Sequence, residues 1–275
     1  MIPVEPPNII THKEESRLKE RKKCMLDMYY FSSWCMGRTD LYEELHRPMC
    51  EWFQYWPKRP SGVPYSYRLT MLPRGTFKTT IGTIDHSVWM WLHDRNLRVL
   101  NSHYKRDISM GNVAEIKDHL ENNEKLRDIA PDICWDNPSR ESPQWLQDRF
   151  MIKRDQFHRV PSFMATGVDA SVVGFHFDHF KLDDLVVRET VQTSEAVMKT
   201  ISHISQTKYL AKNPNELRID ITGTHWSPAD PYVYIKDPQN PYYDKDPEKS
   251  RVAILSMGCY GNDPETGRPY QGSEP

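Results

Sequence analysis

The sequence lacks any apolar run that approaches the ~20 residues of a membrane-spanning helix. Residues 1–7 do not have the pattern of a signal peptide. The five cysteines form no C-x-x-C pair, which predicts reduced thiols in a cytosolic protein rather than a disulfide framework. The formal net charge of -2 gives no global basic field, so any contact with nucleic acid is expected to be local or shared between subunits.

The chain is long enough for one large or two small folded domains, with 275 residues of which 38% are hydrophobic. Apolar patterning predicts strands at 67–72, 97–101, 175–182, 217–221 and 251–255, and a hairpin from 150–153 and 160–165. It predicts helices at 11–37, 78–91, 105–128 and 192–211. A further short helix is expected after Arg47, because Pro48 suits the first position of a helix.

Strands that alternate with helices predict an α/β fold, in which helices cover both faces of a mostly parallel sheet. In such sheets ligands bind at the carboxyl ends of the strands. Three polar clusters of this sequence, 73–80, 183–184 and 222–224, each follow a predicted strand directly. Their shared placement predicts a ligand site at that edge of the sheet.

The first cluster, 73–80, resembles a phosphate-binding loop without its glycines. The usual pattern is G-x-x-x-x-G-K-[ST], and here Leu72 and Phe77 stand at the two glycine positions while Lys78 and Thr79 are kept. We expect Lys78 to reach the β- and γ-phosphates of a nucleotide and Thr79 to offer its hydroxyl to Mg²⁺. Phe77 is expected to take an allowed, helical conformation. An ordinary strand-to-helix turn is the alternative.

The remaining residues of the loop complete the predicted nucleotide site. Backbone N–H groups between a strand and a helix point at a phosphate, with the helix dipole behind them. An arginine in such a loop can touch the γ-phosphate, and Arg74 is placed to do so. The other predicted nucleotide-binding residues are Gly75, Thr76 and Thr80.

The second and third clusters supply acids and hydroxyls. Asp183 is expected to hold Mg²⁺ and Asp184 to act on the attacking water; a solvent-facing acidic turn is the alternative. Thr222, Gly223 and Thr224 are expected to sense the γ-phosphate, with a β-turn as the alternative. The strand before Asp183 is more polar than a buried parallel strand should be, which counts against this interpretation.

Taken in order, these motifs resemble the ATPase domain of the terminase large subunit of tailed phages, the motor that packages viral DNA. Terminase loops often carry an arginine and tolerate loss of glycines, as at 73–80. Many of these proteins end the second motif in paired acids, like Asp183 and Asp184, and continue to a T-G-T-like coupling motif with a tryptophan close behind, here Trp226. The segment 46–52 resembles the one that packs near the adenine. The likeness covers roughly residues 40–260.

The resemblance implies a P-loop NTPase fold of the additional-strand, RecA-like class with an N-terminal helical segment. It divides the chain into a helical segment at 1–60, an ATPase core at 61–258 and a linker at 259–275. It also implies Mg²⁺-dependent ATP hydrolysis that drives double-stranded viral DNA into a procapsid, in the host cytoplasm and away from membranes. The catalytic residues are then Asp184, Arg74 and Lys78.

The same resemblance implies the portal and the small terminase subunit as partners and a homo-oligomeric ring as the working form, with a monomer as the form in isolation. In such rings a neighbouring subunit often supplies an arginine, for which Arg140, Arg149, Arg154 and Arg159 are candidates. We expect no nuclease activity, because the acidic nuclease domain of terminases has no counterpart after residue 224. His225 departs from the arginine that many terminases have there.

Two other interpretations remain open from the sequence. Loss of the glycines and the polar strand favour a degenerate nucleotide-binding or assembly module that does not hydrolyse ATP. The second of these interpretations is another nucleic-acid-dependent P-loop motor, such as a helicase. The basic stretch of the first predicted helix is either a solvated face or a contact for DNA or a partner protein; its residues are Arg17, Lys19, Arg21, Lys22 and Lys23.

Overall fold

The structure, a computed structural model, describes residues 12–257 except 171 and 173. The α-helices are α1 (His12–Leu26), α2 (Met28–Tyr30), α3 (Glu43–Gln54), α4 (His86–His93), α5 (Arg106–Asn122), α6 (Glu124–Ile129), α7 (Pro138–Glu141), α8 (Ser194–Thr207) and α9 (Pro231–Lys236). The strands are β1 (Tyr67–Met71), β2 (Val99–His103), β3 (Arg149–Phe150), β4 (Phe163–Gly167), β5 (His179–Asp183), β6 (Ile219–Gly223) and β7 (Val252–Ser256).

The strands form one seven-stranded sheet in the order β3-β4-β2-β5-β6-β1-β7. Every pairing is parallel except that of β3 with β4. The predicted α/β fold with a mostly parallel, helix-covered sheet is therefore confirmed. Strand β6 stands between β1 and β5, so the residues that follow these three strands meet at one edge of the sheet.

Apolar side chains pack on both faces of the sheet. The first core cluster joins α1–α5 to one face and contains Phe31, Phe53, Ile84 and Val99 among its buried residues. The second core cluster lies under α8 and α9 on the other face, with Phe180 and Ile221 among its fully buried residues. Helices α1–α3 thus share a core with the sheet.

Several predicted helix limits were wrong. The first helix ends at Leu26, because Asp27 caps the next turn with its side chain, and a π-helical segment follows at Phe31–Cys35. Pro48 lies inside α3, which begins at Glu43, five residues earlier than expected. The Tyr42 amide donates to the His46 imidazole at 3.0 Å and so caps the true start of α3.

The predicted hairpin is present as the antiparallel pair β3–β4, with shorter strands than expected. The helix after the phosphate-loop-like segment begins at Lys78 and continues through a π-helical segment, Thr80–Asp85, into α4. The predicted linker at 259–275 and Thr11, the predicted first residue of the first helix, lie outside the described residues.

The described cysteines Cys24, Cys35, Cys50 and Cys134 are free thiols buried in the core, while Cys259 lies beyond the described range. In residues 12–257, gaps excepted, no helix is both long enough and apolar enough to cross a membrane.

Candidate functional site

The loop at 73–80 leaves the carboxyl end of β1 and enters the helix that begins at Lys78. Its backbone takes left-handed conformations at Gly75 (φ +78°) and Phe77 (φ +56°). The Thr76 hydroxyl donates to the Pro73 carbonyl at 2.9 Å and closes the turn between them. The start of the helix therefore lies at the edge of the sheet where the three polar clusters converge, which suits an anion.

The expectation that Phe77 is helical was wrong, because its φ of +56° lies in the left-handed region. That region costs a side-chain-bearing residue roughly 1–2 kcal/mol. The Phe77 ring packs against the first core cluster and makes an edge contact with His46, with centroids 5.6 Å apart. Its carbonyl accepts the Ile81 amide at 2.8 Å, which starts the helix. Packing of the ring thus supports a glycine-like conformation where the pattern has glycine.

Thr79 and Asp183 come together across the sheet. The Thr79 hydroxyl donates to Asp183 Oδ1 at 3.1 Å, although 104 residues separate the two. Asp183 is fully buried, and its Oδ2 has no hydrogen-bond partner in the described part of the chain. Burial, reinforced by the neighbouring Asp184 charge, raises the pKa of Asp183 to about 7.

Lys78 and Asp184 form the second contact between the loop and the acid pair. Lys78 Nζ lies 3.4 Å from Asp184 Oδ2, and both side chains are largely buried. Asp184 also has a left-handed backbone, with φ +42°, which turns the chain sharply after β5. Burial raises the pKa of Asp184, against the opposing charges of Lys78 and Arg74. A carboxylate with a raised pKa is a better proton acceptor.

The segment 222–224 is hydrogen-bonded to both other clusters. The Thr222 carbonyl accepts the Asp184 amide at 2.8 Å. The Thr224 hydroxyl donates to the Leu72 carbonyl at 2.9 Å, just before the loop. A Cβ at Gly223 would overlap the Tyr232 phenol of α9, so only glycine fits there without rearrangement. The coupling motif predicted from the sequence therefore bridges the loop and the acid pair.

Arg74 is exposed and stacks on Trp226, with its guanidinium carbon 4.3 Å from the ring centroid. The next residue back, His225, contacts Asp230 at 2.9 Å and Lys236 at 2.6 Å. The site therefore continues beyond the coupling motif into α9. The sequence indicated Trp226 only as the tryptophan that follows the T-G-T-like motif, and it did not predict the contact with Arg74.

These residues fit a divalent cation. Magnesium prefers oxygen ligands, and the Thr79 hydroxyl and the free Asp183 Oδ2 are such ligands at one point of the sheet edge. Lys78 and Arg74 add positive charge beside them, where a phosphate requires it. The arrangement can hold a metal–phosphate group next to Asp184.

A buried ionic layer, which the sequence reasoning missed, explains the polar strand β5. Arg68, Asp220 and Lys181 lie side by side on β1, β6 and β5. Arg68 donates to the Asp220 carboxylate at 2.6 Å, and Lys181 donates to it at 2.5 Å. The His179 imidazole lies 2.8 Å from the same carboxylate. Although burial opposes ionisation, the Arg68 and Lys181 cations hold the pKa of Asp220 well below its ordinary value. The signal for this layer in the sequence was a charged residue inside each of three predicted strands: Arg68, Lys181 and Asp220.

The ionic layer also contains a potential metal-ligand set, because the ligand atoms of His86, His179 and Asp220 lie within 4.8 Å of one another. The Lys181 ammonium contacts both His86 and Asp220, and Arg68 adds a second cation. A divalent ion would have to displace or neutralise these charges, so the donor set does not fit one. Asp178, which precedes β5, pairs with Arg98 and does not join this set.

The remaining predicted residues occupy different environments. Arg154 donates to the His158 and Val160 carbonyls, whereas Arg140 and Arg159 are exposed. In the basic stretch of α1, Arg21 pairs with Asp132 and Lys23 with Glu20, which ties part of the stretch to the protein's own acids.

Neither a scan against protein-family models nor a search of curated protein sequences found a match for this chain.

Proposed function

We propose that this chain is a Mg²⁺-dependent ATPase of the terminase large-subunit type, which powers translocation of double-stranded viral DNA into a procapsid. The observation that carries the ATPase part is the meeting of Thr79 with Asp183 at 3.1 Å, beside Lys78 and Asp184 at 3.4 Å. The position of β6 between β1 and β5 supports an additional-strand P-loop fold, since it places the coupling segment between the loop and the acid pair.

The roles of the side chains follow from their positions. Lys78 and the amides of the loop bind the β- and γ-phosphates, and Arg74 adds charge at the γ-phosphate. Thr79 and Asp183 would hold Mg²⁺, which would neutralise charge on the phosphate oxygens. Asp184 orients the attacking water and accepts its proton, a role that its raised pKa favours.

Nucleotide binding must break the Lys78–Asp184 ion pair, because the ammonium is then drawn to phosphate oxygens. Asp184 is released toward water at the moment when the phosphate arrives. Two hydrogen bonds connect this change of partners to the coupling segment 222–224. The Asp184 amide donates to the Thr222 carbonyl, and the Thr224 hydroxyl donates to the Leu72 carbonyl. The DNA-packaging part of the proposal is supported by the motif resemblance.

Hydrolysis of Mg²⁺–ATP tests the enzymatic part. We expect slow but measurable turnover by the wild-type chain. Lys78→Ala should lose about 100-fold or more, since removal of one stabilising donor costs roughly that much. Asp184→Asn should lose a similar amount, since a general base contributes roughly 100-fold or more. Lys245→Ala, at an exposed lysine, is the matched control and should retain wild-type turnover. Equal rates in wild type and Asp184→Asn would contradict the proposal.

A second candidate function is a nucleotide-binding module that does not hydrolyse ATP. The Lys78–Asp184 ion pair favours it, because the pair neutralises the two groups that catalysis would use. Binding of ATP in calorimetry, with background turnover in both wild type and Asp184→Asn, would support this module. Stimulation of turnover by linear double-stranded DNA would instead support the motor.

A further inference from the structure

His103 is a buried imidazole at the carboxyl end of β2, outside the three clusters described above. Ser102 pairs with Leu182 of β5, so the next step along the two parallel strands brings His103 beside Asp183. On its other side His103 pairs with Gly167 of β4, which offers no side chain. The imidazole therefore borders the acid pair directly.

His103 and Asp183 lie on the same face of the sheet. Val99, which shares its face of β2 with His103, packs in the first core cluster. Lys181, which shares its face of β5 with Asp183, lies over the Phe53 ring of that same cluster, 5.5 Å from its centroid. The helical segment after the loop at 73–80 packs on this face through Ile81 and Ile84, so the imidazole lies on the face that carries the proposed nucleotide site.

The environment of His103 leaves part of its hydrogen-bonding capacity unused. The side chain is 6% exposed, and its Nδ1 has no hydrogen-bond partner among the described residues. An imidazole carries at least one N–H donor in either of its protonation states, so the ring can donate to a ligand. A buried polar atom without a partner is unfavourable unless a ligand supplies one.

We propose that His103 is a further residue of the nucleotide site, whose imidazole donates a hydrogen bond to an oxygen of the terminal phosphate of ATP. This inference rests on the proposed function. Strand order selects the γ-phosphate: the loop after β1 holds the inner phosphates, Asp184 after β5 faces the attacking water, and His103 lies one strand further in that direction. His103 thus distinguishes ATP from ADP.

The test compares the affinities of Mg²⁺–ATPγS and Mg²⁺–ADP in calorimetry. His103→Phe keeps a ring but removes the donor, and should weaken ATPγS binding about tenfold, the effect of losing one hydrogen bond to a charged group. ADP affinity should stay within about twofold of wild type. His103→Asn and His103→Gln place an amide donor near one ring nitrogen each, and one of them should recover most of the lost selectivity.

The control His119→Phe, at a half-buried histidine of α5, should leave both affinities unchanged. Equal weakening of both nucleotides by His103→Phe, or an unchanged ratio, would overturn the inference. If a thermal melt shows that His103→Phe does not fold, His103→Asn and His103→Gln decide the matter. The inference is overturned if both variants keep the wild-type preference for ATPγS over ADP. It is also overturned if they weaken the binding of both nucleotides equally. A wild-type chain that binds neither nucleotide would instead refute the proposed function.

Discussion

The Arg74 guanidinium and the Trp226 ring are stacked at 4.3 Å, and this contact joins the loop at 73–80 to the segment after β6. The Trp226 amide donates to the Asp230 carboxylate at 3.1 Å, which fixes the backbone beneath the ring. Stacking on a π face leaves the N–H groups at the edge of the guanidinium free. Trp226 thus orients Arg74 and leaves free the donors that the proposed function assigns to phosphate binding.

Loss of the aromatic face at Trp226 should therefore lower ATP turnover. We expect Trp226→Leu to reduce kcat about three- to tenfold, in line with the energy of a cation–π contact, while Trp226→Phe stays within about twofold. Steady-state hydrolysis of Mg²⁺–ATP is the measurement. In an Arg74→Ala background, Trp226→Leu should add nothing; additive losses would show that Trp226 acts without Arg74.

Substitution of Phe77 should depend on backbone preference more than on size. Phe77→Gly removes the left-handed strain and should keep ATP affinity within about threefold of wild type. Phe77→Val places a β-branched side chain at φ +56° and should weaken affinity about tenfold. Calorimetric titration with an ATP analogue separates the two, and similar losses in both variants would indicate that the ring itself binds nucleotide.

Removal of the central carboxylate of the ionic layer should destabilise the protein strongly. Asp220→Ala leaves Arg68 and Lys181 buried and unpaired, and we expect the free energy of unfolding to fall by roughly 3–5 kcal/mol. Asp246→Ala breaks an exposed pair with Lys249 and should cost about 0–1 kcal/mol. Urea unfolding measures both. A small loss in Asp220→Ala would mean that the two cations are neutralised elsewhere.

Asp85 should make stability depend on pH in the acidic range. This carboxyl is fully buried, and burial raises its pKa to about 6 despite the Arg38 cation, which donates to it at 2.9 Å. Between pH 4 and 6 the native state therefore holds a proton that the unfolded state has released, so the free energy of unfolding falls as pH rises through this window.

The Asp85 contribution is on the order of 3 kcal/mol, at about 1.4 kcal/mol for each pKa unit. Urea unfolding of wild type and Asp85→Asn at pH 4, 5, 6 and 7 isolates it, because the other titrating groups are common to both. The difference in stability should shift toward the variant as pH rises from 4 to 6. A difference independent of pH would refute the raised pKa.

Mixing experiments test whether subunits share the proposed site. Lys78→Ala protein added to wild type should reduce total turnover more steeply than dilution does, if a neighbour completes each site. Arg140→Ala and Arg159→Ala should lower turnover in the assembled form alone, since both side chains are exposed. Arg154→Ala should chiefly lower stability, because its donors are bound to carbonyls. Proportional dilution would argue against a shared site.

The sequence predicted the sheet well because its strands alternate with helices, and because alternate positions of β1, β5 and β6 are apolar. The three polar clusters could be placed at one edge from strand direction alone, since parallel strands end on the same side. The individual contacts could not be predicted from the sequence. That Thr79 meets Asp183, and Thr224 meets Leu72, depends on strand order, which local patterns do not encode.

The errors had physical causes of the same kind. Pro48 was placed at a helix start from its missing donor, whereas Tyr42 and His46 form a cap earlier in the chain. A helical backbone is expected at Phe77 because residues with a side chain rarely adopt a positive φ, but tertiary packing of the ring overrides this preference. The polarity of β5 counted against a buried strand, because Asp220, the acid that neutralises Lys181, lies 39 residues away in the sequence.

The register of the ionic layer limits how the sheet can move. Arg68, Asp220 and Lys181 stand abreast on three strands, two residues before the row formed by Thr70, Thr222 and Asp183. Sliding one strand past its neighbour would separate the charges of the first row inside an apolar core. The three strands should therefore move as one rigid unit. If the proposed function is right, displacement on nucleotide binding should occur in the loops at their ends.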